Sequence, residues 1–228
     1  MCFSATASFT SAAILISAGL YCLKKSNQVD KSYWAFAILP LMFGLQQLIE
    51  GSVWLALIQG EQSTAYQRAL GFLLFSHVYW LGWVAYSSYL TESSARFRRY
   101  FLVIAALGLI FGCFMYVPLL YNPSWLEVAI VRHSIHYNLI FLTDDYLSQH
   151  VVAAFYASVI LVPLMLSSDR YHRMLGGMIF VSGIFTLVFY GWAFISVWCY
   201  FAALISLYIF LVIAHSVRHS STVGASHP

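Results

Sequence analysis

Charge is what this sequence has least of. Only 8% of its 228 residues are Asp, Glu, Lys or Arg, against 61% hydrophobic and 18% aromatic. A soluble domain carries about 25% charged residues, so a soluble core of this size is excluded and the bilayer becomes the first partner. The 11 Lys and Arg are dispersed through short loops, which excludes a basic nucleic-acid-binding patch. A linker, a low-complexity tract and an internal repeat are also missing, so residues 1–228 read as one integral membrane domain. The chain lacks a Walker loop, a dinucleotide-type glycine pattern, a Gly-x-Ser-x-Gly elbow and a His-Glu-x-x-His pair.

What remains is a series of apolar runs. A spanning helix needs about 20 apolar residues. Seven runs meet this: about Thr6–Leu23, Tyr33–Ile58, Arg68–Leu90, Tyr100–Tyr121, Gln149–Leu166, Met174–Tyr190 and Phe194–Val217. The first has no basic residue ahead of it, so it reads as a span rather than a cleaved signal. The second should kink near Pro40. The fold expected is an all-α bundle of seven transmembrane helices. Nine of the 11 basic residues (Lys24, Lys25, Lys31, Arg96, Arg98, Arg99, Arg170, Arg173, Arg218) fall on one side, leaving Arg68 and Arg132 on the other. The positive-inside rule then places the N-terminus outside and the C-terminus in the cytoplasm. Seven spans in this orientation resemble rhodopsins, but the seventh run has no lysine for a retinal Schiff base.

The second run carries the stretch Gln46-Gln47-Leu48-Ile49-Glu50. On a helix Gln46, Gln47, Glu50 and Trp54 share one face. A charge at that depth costs roughly 2.5–3.5 kcal/mol on insertion scales, so Glu50 needs a partner or a wet cavity. It lies about 12 Å from the outer end of its helix, at 1.5 Å per residue. His77 falls at nearly the same level of the next helix, so a Glu50–His77 ion pair or hydrogen bond is one expectation.

The long connection between the fourth and fifth runs should face outside, and loops of this length are uncommon without a role. Glu127–Val131 is β-prone and Ser134–Leu139 alternates, which predicts a short β-hairpin or lid over the outer mouth. His133 and His136 would then point to opposite faces, so at most one of them enters a site. Asp144 and Asp145 read either as pocket residues or as a helix cap with a dipole partner, and His150 stands at the mouth of the next helix. Cys2 and Cys199 fall near the same outer surface, where a disulfide, a Cys/His metal site or ordinary thiols are all open. On the cytoplasmic side His215 and His219 have chelating spacing, with Asp169 and His172 nearby. Arg218 between the two histidines and the polar tail beyond them make this a solvated helix end.

Several patches resemble an uncharacterised family of small bacterial membrane proteins. They are Met1-Cys2-Phe3-Ser4-Ala5, Gln47-Leu48-Ile49-Glu50-Gly51, His133 with Tyr137, and Ser196-Val197-Trp198-Cys199. The resemblance implies a multi-pass protein of the bacterial inner membrane and supplies no activity. A looser likeness to ceramidase-type hydrolases rests on the span count and the assortment of His, Asp, Glu and Ser. It would imply zinc held by histidines, yet the His-x-x-x-His pair here, His215 and His219, falls on the cytoplasmic side.

The functional expectation is an extracytoplasmic pocket lined by Gln46, Gln47, Trp54, His136, Tyr137, Asp144, Asp145 and His150. In one version it is a metal-dependent enzyme acting on a lipid-like substrate. Zinc or copper would be held by His77, His133, Cys2 and Cys199, with Glu50 as general base. The alternatives are a proton-coupled transporter or sensor using Glu50 and His77, and a structural subunit.

Overall fold

In hydrocarbon every backbone N–H and C=O must find a partner within the protein, so apolar runs this long fold as helices. The structure, a computed structural model, describes residues 4–139 and 149–224. Helix α1 is Ala5–Val29, opened by Ser4, whose Oγ accepts from the Ala7 N–H at 3.2 Å. After a 3-10 turn at Lys31–Tyr33 come α2 (Trp34–Ala37) and α3 (Leu39–Ile58). The expected kink is found as a break at Ile38. Pro40 lies in the first turn of α3, where its missing N–H would be unbonded anyway.

The next rod joins α4 (Gln62–Leu73), a π-helical turn (Leu74–Tyr79) and α5 (Trp80–Thr91). Helix α6 is Ala95–Tyr121. Strands β1 (Leu126–Val131) and β2 (Ser134–Leu139) follow, then α7 (Gln149–Leu166), α8 (Arg170–Tyr190) and α9 (Phe194–Gly224). Several of these segments are long and apolar enough to cross a membrane: Ala5–Gln28, Lys31–Ile58, Gln62–Thr91, Ala95–Tyr121 and the α8–α9 stretch Arg170–Val217. Large apolar side chains such as Ile110, Val181 and Val188 remain on the outside of the helices, as a lipid-facing surface allows. This is the composition and shape of a multi-pass membrane protein.

The helices overrun the apolar runs that predict them. Helix α1 continues through Lys24 and Lys25, and α8 begins four residues before Met174, at Arg170. Lys and Arg are good helix formers whose long stems let the charge reach water from a helix end. Composition therefore marks the apolar stretch, while backbone hydrogen bonding sets the helix.

Two close approaches position the candidate site. Helix α6 carries Gly108 and Gly112, one turn apart, and a Cβ there would meet the carbonyl oxygens of Leu81 and His77. Small residues at this spacing let helix backbones touch inside a membrane. They seat α6 against the start of α5 and against the π-helical turn that holds Ser76 and His77. A π turn re-registers the ladder, and the Ser76 carbonyl accepts instead from the Tyr156 hydroxyl of α7.

The hairpin forms as the alternation predicts, antiparallel from Leu126 opposite Leu139 to Val131 opposite Ser134. Its two turn residues, Arg132 (φ 47°) and His133 (φ 60°), are both left-handed, as a two-residue I′-type turn requires. The hairpin folds back on the helices. Leu126, Val128, Ile135 and Tyr137 pack with Trp54, Phe72, Leu73 and Leu119, and Gln62 Nε2 donates to the Val128 carbonyl at 2.9 Å.

Candidate functional site

Glu50 sits on α3 with its whole side chain enclosed. Gln46, Gln47 and Glu50 have no exposed surface, and Trp54 is 4% exposed. Gln47 Nε2 donates to Glu50 Oε2 at 3.0 Å, and Ser196 Oγ of α9 donates to Glu50 Oε1 at 2.5 Å. Gln46 Oε1 accepts from Trp80 Nε1 at 2.8 Å. Gln46 Nε2 faces the Cys199 sulfur, while Gln47 Oε1 and Trp54 Nε1 have no hydrogen-bond partner among the described residues. Buried polar groups are nearly always paired, so two orphans about two helical turns apart mark this face.

A cavity of about 190 Å³ lies nearby, between the π-helical turn, β2, α7 and the start of α9. Its walls are mostly apolar, including Met115, Ile195, Phe194 and Trp198, with His77, His136, Asn138 and Cys199 interspersed. Trp192 also lines it, with an indole N–H that is buried and has no acceptor among the described residues. The guanidinium of Arg132, in the hairpin turn, stacks 4.9 Å above the Trp192 ring.

The sequence candidates divide between these two places and a remainder. Glu50 and His77 do not pair: Glu50 holds Gln47 and Ser196, while His77 Nδ1 is 2.9 Å from Ser76 Oγ. Glu50 is absent from the described cavity lining, whereas His77, His136, Tyr137 and Cys199 are on it. Tyr137 is buried with its ring stacked on Phe72. Cys199 is a buried free thiol beside the Gln46 amide, so it stands between the cavity and the Glu50 face. His133 is exposed in the hairpin turn, and His136 of the pair is the one that reaches the cavity. Cys2, Asp144, Asp145 and the His150 side chain lie outside the described residues.

Among the described residues no three His, Cys, Asp or Glu side chains come close enough together to hold a metal ion. His77, His136 and Cys199 share one cavity but are spread around its wall.

Over residues 1–224 the chain matches the model of a family of unknown function, DUF6629. The chain belongs to that family. No curated protein and no solved structure matches it, and none of these comparisons extends to ceramidase-type hydrolases. The family match spans the patches around Ser4, Glu50, Tyr137 and Cys199. It brings no activity with it.

A second, partly buried carboxylate lies at the other end of the helices, on the side where the His215–His219 segment reads as a solvated helix end. Asp169 caps α8. Its Oδ2 accepts from the His172 backbone N–H at 3.1 Å and lies 2.6 Å from His172 Nδ1, while Oδ1 accepts from the Tyr33 hydroxyl at 2.7 Å. His172 has no exposed surface, and its ring packs on Phe36 with centroids 4.3 Å apart. Burial pushes the Asp169 carboxyl up, but the hydrogen bonds from His172 and Tyr33 outweigh it and hold the group below its ordinary value. Beside it, Glu92 accepts from the Ser168 and Ser94 backbone N–H groups at 2.7 and 2.9 Å. The signal for this cluster is present in the sequence: Asp three residues before His at the start of an apolar run is a capping pattern. The identity of Tyr33 as third member is not, because it lies 136 residues away.

Proposed function

We propose that the chain crosses the bilayer seven times with its N-terminus outside, and that the cavity under the hairpin binds a small lipid-like molecule from the extracytoplasmic side. The distribution of basic residues supports the orientation. The observation that carries the binding reading is the cavity itself, apolar-walled with a few polar groups set into the wall, which is close to the usual make-up of a small-molecule site. The unmatched Trp192 N–H favours a ligand that presents an acceptor oxygen, such as an ester, acid or alcohol. His77 and Cys199 would meet that end of the molecule. A coupled Glu50–His77 proton exchanger has less support, since each group is bonded elsewhere.

Protein purified in detergent should carry a co-purifying lipid-class molecule, read by solvent extraction and mass spectrometry. Ala153→Trp, which adds bulk at the cavity wall, should reduce its amount several-fold, and Trp192→Phe should weaken retention. If nothing is retained above empty detergent, and no added acid, ester or alcohol raises Tm, the reading fails. Orientation has its own test. A membrane-impermeant maleimide applied to whole cells should label Arg132→Cys and leave Arg98→Cys unlabelled.

A further inference from the structure

Among the described residues the enclosed carboxylate of Glu50 has no cationic partner. Its hydrogen-bond partners are the neutral Gln47 and Ser196, and none of the described Lys, Arg or His residues forms an ion pair with it. A carboxylate at this depth must be neutralised or hydrated. The surrounding atoms discriminate between ways of doing so. Gln47 Oε1 is an acceptor without a donor, in the same amide whose Nε2 holds Glu50. On α1 the Phe9 ring packs against Gly51, bringing the adjacent Ser8 to the level of Glu50. The Ser8 hydroxyl is also fully buried and unpartnered.

Both Glu50 oxygens, Gln47 Oε1 and the Ser196 hydroxyl lie together, and Ser8 is on the α1 face that meets α9, since Ser11, one turn on, donates to the Tyr200 hydroxyl at 3.3 Å. Hard cations take oxygen ligands. A single carboxylate is balanced by a single positive charge, whereas a divalent ion would leave net charge in hydrocarbon. A proton on Glu50 would balance the charge and could be donated to Gln47 Oε1 with the amide turned, but Gln47 Nε2 would then lose its acceptor and Ser8 Oγ would still have no partner. A water carried by the cation would accept from Trp54 Nε1, one helical turn away. We infer that Glu50, Gln47, Ser8 and Ser196 form a binding site for one monovalent alkali cation between α1, α3 and α9. The site goes beyond the lipid-binding reading and does not depend on it.

The test is thermal unfolding of the purified full chain in detergent, with Na⁺, Li⁺ or K⁺ replacing choline at constant ionic strength. At least one alkali ion should give a saturable rise in Tm of several degrees, because a ligand that binds only the folded state stabilises it. Equilibrium dialysis of ²²Na⁺, or of ⁸⁶Rb⁺ if K⁺ is the effective ion, should give roughly one ion per chain at saturation. Glu50→Gln should abolish the response, Gln47→Met should weaken apparent affinity by about a factor of ten or more, and Ser8→Ala should weaken it less. Identical Tm in all four salts overturns the site, as does an undiminished response in Glu50→Gln. A response to acid alone would replace the alkali cation by a proton and overturn it equally. Should Glu50→Gln not fold, Gln47→Met and Ser8→Ala keep the carboxylate and decide the matter: unchanged affinity in both rejects the site.

Discussion

Glu50 is a fully enclosed carboxylate and Asp169 a partly buried one, and they are satisfied in different ways. Asp169 ends a helix. It accepts a cap N–H, an imidazole and a phenol, and the loop around it is braced further by Arg173, whose Nη1 donates to the Ser167 and Ser168 carbonyls at 2.7 and 2.8 Å. Glu50 lies within a helix, where every backbone N–H nearby is already committed to the ladder. It has two neutral side-chain donors and is surrounded by polar atoms without partners. The Asp169 end is held by completed hydrogen bonds. The Glu50 end is held by close helix packing around an incomplete polar set, and incompleteness of this kind is where a ligand belongs.

The sharpest way to break the comparison is to treat both carboxylates alike. Asp169→Ala should cost roughly 2.5–4 kcal/mol, combining loss of an N-cap with loss of hydrogen bonds to a charged group. Glu50→Gln in a choline buffer should cost no more than about 1 kcal/mol, because the amide can keep one of the two bonds. Equal losses in chemical denaturation would erase the distinction. Acid sharpens it further. A carboxyl held below its ordinary value in the folded state contributes stability above that ordinary value, 3.8 for Asp169, and loses it as pH falls through the folded value. Unfolding temperature should therefore drop steeply below about pH 4, and Asp169→Asn should flatten that drop.

Smaller effects probe the packing of the Glu50 end. Gly112→Ala places a Cβ against the backbone carbonyl of His77, where no flexible side chain can yield. It should cost about 1–3 kcal/mol, as overpacking does, and should reduce retention of any cavity-bound molecule. Arg132→Ala removes the cation–π contact with Trp192 and should cost only about 0.5–1 kcal/mol. A larger loss would mean that the hairpin turn, rather than its apolar face, holds the hairpin down.

Much of the architecture is legible in the residue pattern, for local reasons. The apolar runs appear as helices because hydrocarbon leaves the backbone no other solution. The alternation of Ser134–Leu139 appears as a strand, but His133 is a left-handed turn residue outside it, so the turn and not strand alternation keeps it from the cavity that His136 reaches. The capping pattern of Asp169 with His172 is likewise local, although reading the region as a solvated end hides its burial. The π-helical turn at Leu74–Tyr79 has no such signature. It depends on Gly112 and Tyr156 meeting that turn from two other helices.

What the sequence by itself determined is therefore the set of elements and the depth of each polar residue along its own helix, because periodicity and hydropathy act within one segment. Which polar residues meet was decided only by tertiary structure. Glu50 and His77 share a depth, yet helix rotation turns Glu50 towards Ser196 of α9 and His77 towards the cavity under the hairpin. Depth is a property of one helix, whereas a contact needs the rotation and crossing of two. Those are set by where glycines let backbones approach, at Gly19 and Gly44 between α1 and α3 and at Gly108 and Gly112 on α6.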